Sequence, residues 1–289
     1  MPDAADFLLK TSDANGGWPY RPGTSPSPEP TCLSLMALAG VREAAAAREA
    51  AIRWLESRMN GDGALTLAGD NQPHWCTSLL VIALTRLGVR SDLRDKAVNW
   101  LLVWKGERTV QNKENTLDGS LQGWPWASKT FSWVEPTCYA LLALKLTGHG
   151  RDPRVAEAER LLLDRVCEDG GWNYGNRLVY DAALPGFLPT TALAAMALQD
   201  STAARPTVER GLAFLDKGLQ DHKSALSLAL AILCFQIFSK PAVPFAAALK
   251  SRQENDGSWR QQVHLTALAA LALQAAGGGA NIFALPGSR

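Results

Sequence analysis

Six stretches of this chain are apolar around nearly their whole circumference. They read PTCLSLMAL (30–38), CTSLLVIAL (76–84), PTCYALLAL (136–144), TTALAAMAL (190–198), ALSLALAIL (225–233) and LTALAALAL (265–273). A helix with no polar face is a buried helix. Segments of a second kind alternate with them. REAAAAREAAIRWLESR (42–58), SDLRDKAVNWLLVW (91–104), DPRVAEAERLLLDRV (152–166), RPTVERGLAFLDKGL (205–219) and PAVPFAAALKSRQ (241–253) each keep a charged side and an apolar side, and ADFLLKT (5–11) is a shorter first member. Asp152 and Pro153 form an N-cap and N1 pair. The pattern is amphipathic helix, loop, apolar helix, written six times. One such hairpin cannot bury its apolar helix, so neighbouring hairpins must pack on it. An open stack covers that helix on two sides at most. The expected fold is therefore all-α: a closed α/α barrel of about twelve helices, apolar ones inside and amphipathic ones outside. An open helical solenoid is the alternative. A single domain spanning residues 1–289 is expected, with the repeats in about 6–276 and a C-terminal tail at 277–289.

The loops that enter the apolar helices share a signature. They read NGGWPY (15–20), NGDGALTL (60–67), LQGWPWA (121–127), EDGGWNYGN (168–176) and ENDGSW (254–259). Glycine supplies the positive φ of a tight turn and Asn or Asp supports it. The Trp that follows can close over a neighbouring helix end as a structural staple, or present its face to a ligand.

Aligning the apolar segments on their closing leucine puts Glu29, Trp75, Glu135, Pro189, Ser224 and His264 at equivalent positions. In a closed barrel these six share one mouth, with Thr31, Thr77, Thr137, Thr191 and Thr266 one ring further in. Pro fits a first helical turn, and Glu there is favoured by the helix dipole by ~0.3–1 kcal/mol. Glu-Pro-Thr-Cys, written at 29–32 and again at 135–138, is thus a well-made helix start. It also points two carboxylates and a histidine at an apolar interior, the usual form of a ligand site. The long loops 105–134 and 169–190 bring Trp124, Trp126, Phe131, Trp133, Trp172, Tyr174, Tyr180 and Phe187, with Arg177 and Asp181 as polar candidates. Together with Trp18, Tyr20, Trp75 and Thr137, the residues Trp124, Trp126, Trp133, Trp172, Tyr174 and Tyr180 are the expected ligand contacts.

Charge narrows the partners. With 29 basic and 28 acidic residues and no basic cluster, nucleic acid is not an expected partner. The N-terminal MPDAADFLLKTSD has no basic segment followed by an apolar core, so no secretory signal is read there. SALSLALAILCFQIF (224–238) falls short of the ~20 residues that span a bilayer. Five widely spaced cysteines in apolar surroundings suggest buried thiols in a reducing compartment. A cytoplasmic protein follows, with peripheral membrane contact left open. No phosphate-binding glycine loop, dinucleotide motif or Asp-rich magnesium motif occurs, and no cofactor is expected.

The Gly-Gly-Trp or Asp-Gly-x-Trp turn before an Ala- and Leu-rich helix resembles the repeat of the prenyltransferase and squalene-cyclase family, from Asp6 to about Ala276. That resemblance implies an α/α barrel. It also implies an isoprenoid ligand and, in class II terpene cyclases, protonation by the middle Asp of an Asp-x-Asp-Asp-Thr-Ala segment. WVEPTC (133–138) falls in that register. Trp133 stands at the first Asp, Glu135 at the proton donor, Pro136 at the last Asp and Thr137 at the Thr. Protein prenyltransferase β subunits bind zinc through an Asp-x-Cys pair and a later His. His264 matches that His, but no Asp-x-Cys precedes it in the right place. His74 and Cys76 offer two further donors, short of the three or four that zinc needs, and no metal site is expected. The resemblance thus implies acid-initiated cyclisation or isomerisation, with Glu135 as proton donor and Glu29 and His264 assisting. The alternative is a non-catalytic helical-repeat protein that binds a protein or peptide partner.

Overall fold

Alanine and leucine at every turn let the six apolar segments pack on all sides. In the computed structural model, which describes residues 3–67, 69–110, 117–180, 182–221 and 224–287, they pack as a ring. The inner helices are α2 (Pro28–Ala37), α4 (Thr77–Leu87), α6 (Val134–Leu146), α8 (Leu188–Ala197), α10 (Ala225–Ile237) and α12 (Val263–Ala276). Each touches the next, and α12 returns to α2, so the ring is closed. The outer helices are α1 (Ala4–Lys10), α3 (Ala45–Ser57), α5 (Ser91–Val103), α7 (Pro153–Asp164), α9 (Arg205–Asp221) and α11 (Val243–Lys250). They lie against the inner ones, α5 on α4 and α9 on α8 for example. The closed barrel is the observed fold and the open solenoid is not.

The core is the inner ring itself. Every residue of α8, from Leu188 to Ala197, is buried except Pro189. The outer helices bury a single stripe, such as Val155, Ala158, Leu161 and Leu162 on α7. Three short antiparallel ribbons, which the hydrophobic pattern did not indicate, rise from the loops that enter inner helices: Trp18–Pro19 with Pro26–Ser27, Thr66–Leu67 with Asp70–Pro73, and Leu178–Val179 with Ala182–Ala183.

The glycine turns join one hairpin to the next. Gly16 has φ +95°, and a Cβ there would sit 2.4 Å from the carbonyl oxygen of Ala50 on α3. Gly63, at φ +96°, approaches Lys96 of α5 in the same way. Only glycine tolerates both the left-handed backbone and the close approach.

The tryptophans that follow these turns are staples. The backbone N–H of Trp18 donates to Thr31 Oγ1 (2.8 Å) and its indole N–H to the Leu8 carbonyl of α1 (2.7 Å). Trp124 repeats this with Thr137 and Leu101, Trp172 with Thr191 and Leu162, and Trp259 with Thr266 and Leu249. In the second repeat Leu65 replaces Trp, and its N–H donates to Thr77 Oγ1. Each of the four Trp units thus ties the end of an outer helix to the start of an inner one, satisfying groups a helix terminus leaves orphaned.

The C-terminal tail crosses the opposite end of the barrel. Arg86, at the end of α4, donates Nε to the Ile282 carbonyl (2.8 Å) and Nη2 to that of Ala284. Gln199, just past α8, donates to the Phe283 carbonyl and accepts from the Leu285 N–H, both at 2.9 Å. Asn281 donates to Leu233 of α10 (2.8 Å). In a ring of six, α4 and α10 face each other, so the strap spans the base. Phe283 is fully buried and points at Tyr139.

No helix among the described residues is long and apolar enough to cross a membrane.

Candidate functional site

Pro28 and Pro30 start α2 and place Glu29 in its first turn; Val134 and Pro136 do the same for Glu135 on α6. Helix α4 lies between them in the ring, and Trp75 precedes it. Trp75 meets Trp126 edge-on with ring centres 5.0 Å apart, and Tyr139 at 5.4 Å. Tyr20, from the first ribbon loop, donates its hydroxyl to Glu29 Oε2. The imidazole of His264 packs edge-on against the Tyr20 ring at 5.2 Å. The Val263 N–H donates to the Tyr20 carbonyl (3.0 Å), which fixes the loop against α12. Glu29, Glu135, Tyr20, Trp75, Trp126 and His264 are therefore brought together at the mouth.

Two effects compete on the carboxyl groups. The helix dipole favours ionisation by ~0.3–1 kcal/mol, less than one pKa unit. Burial opposes it and wins. Burial first, and then the charge of Glu29, push Glu135 up to about 7. Burial also raises Glu29, with the Tyr20 hydrogen bond pulling it back. Both groups are half-buried, so they face a concave mouth, walled by protein, rather than open water. No arginine or lysine among the described residues pairs with either one. The pair therefore holds a proton near neutral pH rather than two full charges. Burial lowers the pKa of His264 and keeps it neutral; its Nδ1 is buried without a hydrogen-bond partner among the described residues.

Beneath the rim the interior is filled. Trp126, Trp75, Tyr139 and Phe283 form a continuous aromatic column, its last step 6.0 Å between ring centres. Cys32, Cys76 and Cys138 are fully buried among the inner helices, and all five cysteines are free.

The other expected ligand contacts lie elsewhere. Trp18, Trp124, Trp172 and Thr137 are spent in the staples, at most 1% exposed, with no face left for a ligand. The threonine ring does not look into the interior either, because its hydroxyls hold the entering loops. Trp133 and Tyr180 line a separate 560 Å³ cavity between the two long loops, with Phe131, Arg108 and Arg165, and no rim residue reaches it. Tyr174 packs against Phe187 at 5.3 Å on the outside of that region. A larger cavity of 890 Å³ lies against α8, α9 and α10, lined by Phe187, Leu188 and Phe214, also away from the rim carboxylates. Asp181 lies outside the described residues. His74 packs beside Trp75, and burial holds it down to about 4. Among the described residues no three His, Cys, Asp or Glu side chains gather as metal ligands.

The closed helical barrel has counterparts among solved structures. A variant of type II terpene cyclase MstE from Scytonema, in complex with geranylgeranyl dihydroxybenzoate, matches at a TM-score of 0.68 over 95% of each chain, with 16% identity. The chain has a type II terpene cyclase-like fold. The ent-copalyl diphosphate synthase from Streptomyces platensis matches at 0.57 over 89% of this chain and 52% of that one, with 18% identity. The terpene cyclase-like barrel is also similar to a family 76 glycoside hydrolase, a mannosidase from Bacteroides thetaiotaomicron, at 0.66 over 95% and 97% with 10% identity. At these identities the likeness is one of fold. No family model matches the chain, and no curated protein does.

Two members of the terpene cyclase-like interior escaped the sequence reading. Tyr139 had a usable signal, since it lies four residues after Glu135 and so on the same helix face. Phe283 had none, because it belongs to no repeat.

Proposed function

We propose that the barrel binds an apolar, isoprenoid-like small molecule at its aromatic mouth and starts its isomerisation or cyclisation by proton transfer from Glu135. One observation carries this reading: a carboxyl raised to about 7 by burial and a neighbouring carboxylate, one helical turn from Tyr139, whose ring meets Trp75 and through it Trp126. A general acid works best with a pKa near the operating pH. The protonated Glu135 gives its proton to an alkene carbon, leaving a carbocation and a Glu135 carboxylate. The aromatic faces stabilise the cation by ~0.5–2 kcal/mol each. Loss of a proton from carbon to neutral His264 ends the sequence. Support comes also from the MstE neighbour, whose bound substrate is a geranylgeranyl compound. The mannosidase neighbour is a reminder that one barrel hosts several chemistries, so the residues at the mouth carry the reading and the fold does not. Glu135 stands alone where the class II pattern has three acids, which suits a more reactive alkene than squalene.

The filled column beneath the rim favours a second reading, in which the barrel is a non-catalytic scaffold and its mouth binds a protein or peptide.

Native mass spectrometry and organic extraction of the purified protein, followed by turnover assays of the wild type and Glu135→Gln, separate the two. A co-purifying or added isoprenoid that is converted by the wild type and left unchanged by Glu135→Gln supports the enzyme. Absence of any isoprenoid-like ligand, or equal turnover by both proteins, removes it.

A further inference from the structure

The 560 Å³ cavity between the two long loops takes no part in the chemistry of the mouth. We propose that it binds an aromatic organic anion, a ring bearing a carboxylate or a phosphate, with Arg108 and Arg165 on the anionic group and Phe131, Trp133 and Tyr180 around the ring. Neither rim carboxylate lines this cavity, so the proposal stands apart from the reading of the mouth.

The lining carries one sign of charge. Among the described residues Arg108 and Arg165 are its only charged members, and the rest are aromatic, aliphatic or neutral polar groups. The carboxylates nearby are engaged behind the wall. Asp164 pairs with Arg165 and lies 4.0 Å from Arg177, so one carboxylate serves two arginines. Asp118 feels the charge of Arg165 but gives its carboxylate to Ser120, accepting from the backbone N–H at 3.0 Å and from the hydroxyl at 2.6 Å. Glu107, next to Arg108, is exposed and does not line the cavity. The face turned to the cavity is therefore cationic.

That face also has donors to spare. A guanidinium offers five N–H groups. Arg165 is only 6% exposed, yet among the described residues it donates just to Asp164 and, at 3.4 Å, to the Asp118 carbonyl. Arg108 is exposed and joins none of the ion pairs of the described residues. Unused donors on a buried cation are costly, and the arginine fork fits a carboxylate or phosphate with two parallel bonds. The ring has its place as well. Phe131 and Tyr180 leave large aromatic faces exposed at the cavity, the kind of apolar surface that marks a binding site. The walls are built in advance. The Thr109 N–H donates to the Gly119 carbonyl (3.0 Å), the Glu107 N–H to that of Thr130 (2.9 Å) and the Val134 N–H to that of Tyr174 (3.0 Å), tying the first long loop to itself and to the second. The volume suits a small molecule, whose sites span about 300–1,000 Å³.

The test titrates phenyl phosphate, benzoate, inorganic phosphate and neutral benzyl alcohol calorimetrically into the full chain and into Arg108→Ala, Arg108→Lys and Arg165→Lys, with a thermal melt of each variant. The wild type should bind phenyl phosphate or benzoate at a single site, roughly tenfold or more tighter than benzyl alcohol, the scale of one charge-assisted hydrogen bond. The tighter of the two aryl anions identifies the head group. Arg108→Ala should lose roughly tenfold or more of that affinity and none for benzyl alcohol, with Arg108→Lys between it and the wild type. Failure of both aryl anions to saturate, equal binding of benzyl alcohol, or anion binding untouched by Arg108→Ala overturns the proposal. Inorganic phosphate binding as tightly as phenyl phosphate also overturns it, because the aromatic wall would then contribute nothing. If Arg165→Lys does not fold, the Arg108 variants decide, since that side chain is exposed.

Discussion

Tyr20 donates its phenolic hydrogen bond to Glu29, the carboxylate whose charge Glu135 feels. The loop that carries Tyr20 therefore controls a proton on a helix two positions away in the ring. The bond lowers the pKa of Glu29 and keeps its charge in place. In Tyr20→Phe, Glu29 takes up its proton more readily and its charge fades. The Glu135 pKa should then fall below its value of about 7. A carboxyl carbon-13 titration of both proteins reads this directly. An unchanged or raised Glu135 midpoint in Tyr20→Phe would break the link.

The raised pKa of Glu135 is also a stability statement. Its carboxyl goes from 4.5 to about 7 on folding, so the folded state holds the proton more tightly. The contribution is complete below pH 4.5, is lost as pH climbs through the interval, and is gone above 7. Glu135→Gln has no proton to lose. It should match the wild type in acid and exceed it at pH ~8 by up to about 3 kcal/mol, at 1.4 kcal/mol per pKa unit. Urea melts at the two pH values check this, and a difference that does not grow with pH contradicts it.

The tryptophan staples predict a stability loss with no loss of chemistry. Trp172→Phe keeps a ring between α7 and α8 but removes the indole N–H that reaches the Leu162 carbonyl at 2.7 Å. The expected cost is about 1–3 kcal/mol from the lost bond and the smaller ring. Denaturant melts should register that cost, while any isoprenoid bound by the wild type is retained.

Glycine at the hairpin joins makes a sharper contrast. Gly16→Ala forces a left-handed alanine against the Ala50 carbonyl, at a cost of about 1–3 kcal/mol or more. Gly40 has open space around its missing Cβ and no positive φ, and Gly40→Ala should stay within about 0.5 kcal/mol of the wild type. Equal effects at the two sites would mean that the Gly16 turn does not join α3 as described.

Sequence alone determined the barrel and its rim. Helices with no polar side have to be enclosed, and six of them in one chain enclose one another best by closing. Because every hairpin has the same form, Glu29, Trp75, Glu135 and His264 had to fall at one end. The periodicity that placed them says nothing about side-chain direction across a loop. It could not tell that Trp18, Trp124 and Trp172 turn toward outer-helix carbonyls, while Trp126 turns toward Trp75. It could not tell that the threonines hold loops instead of facing inward. Tertiary structure decided those choices, because each depends on which unsatisfied backbone group lies within reach. It also decided where the tail packs: Phe283 lies outside the repeat, and only the closed ring gives its side chain buried apolar neighbours such as Tyr139.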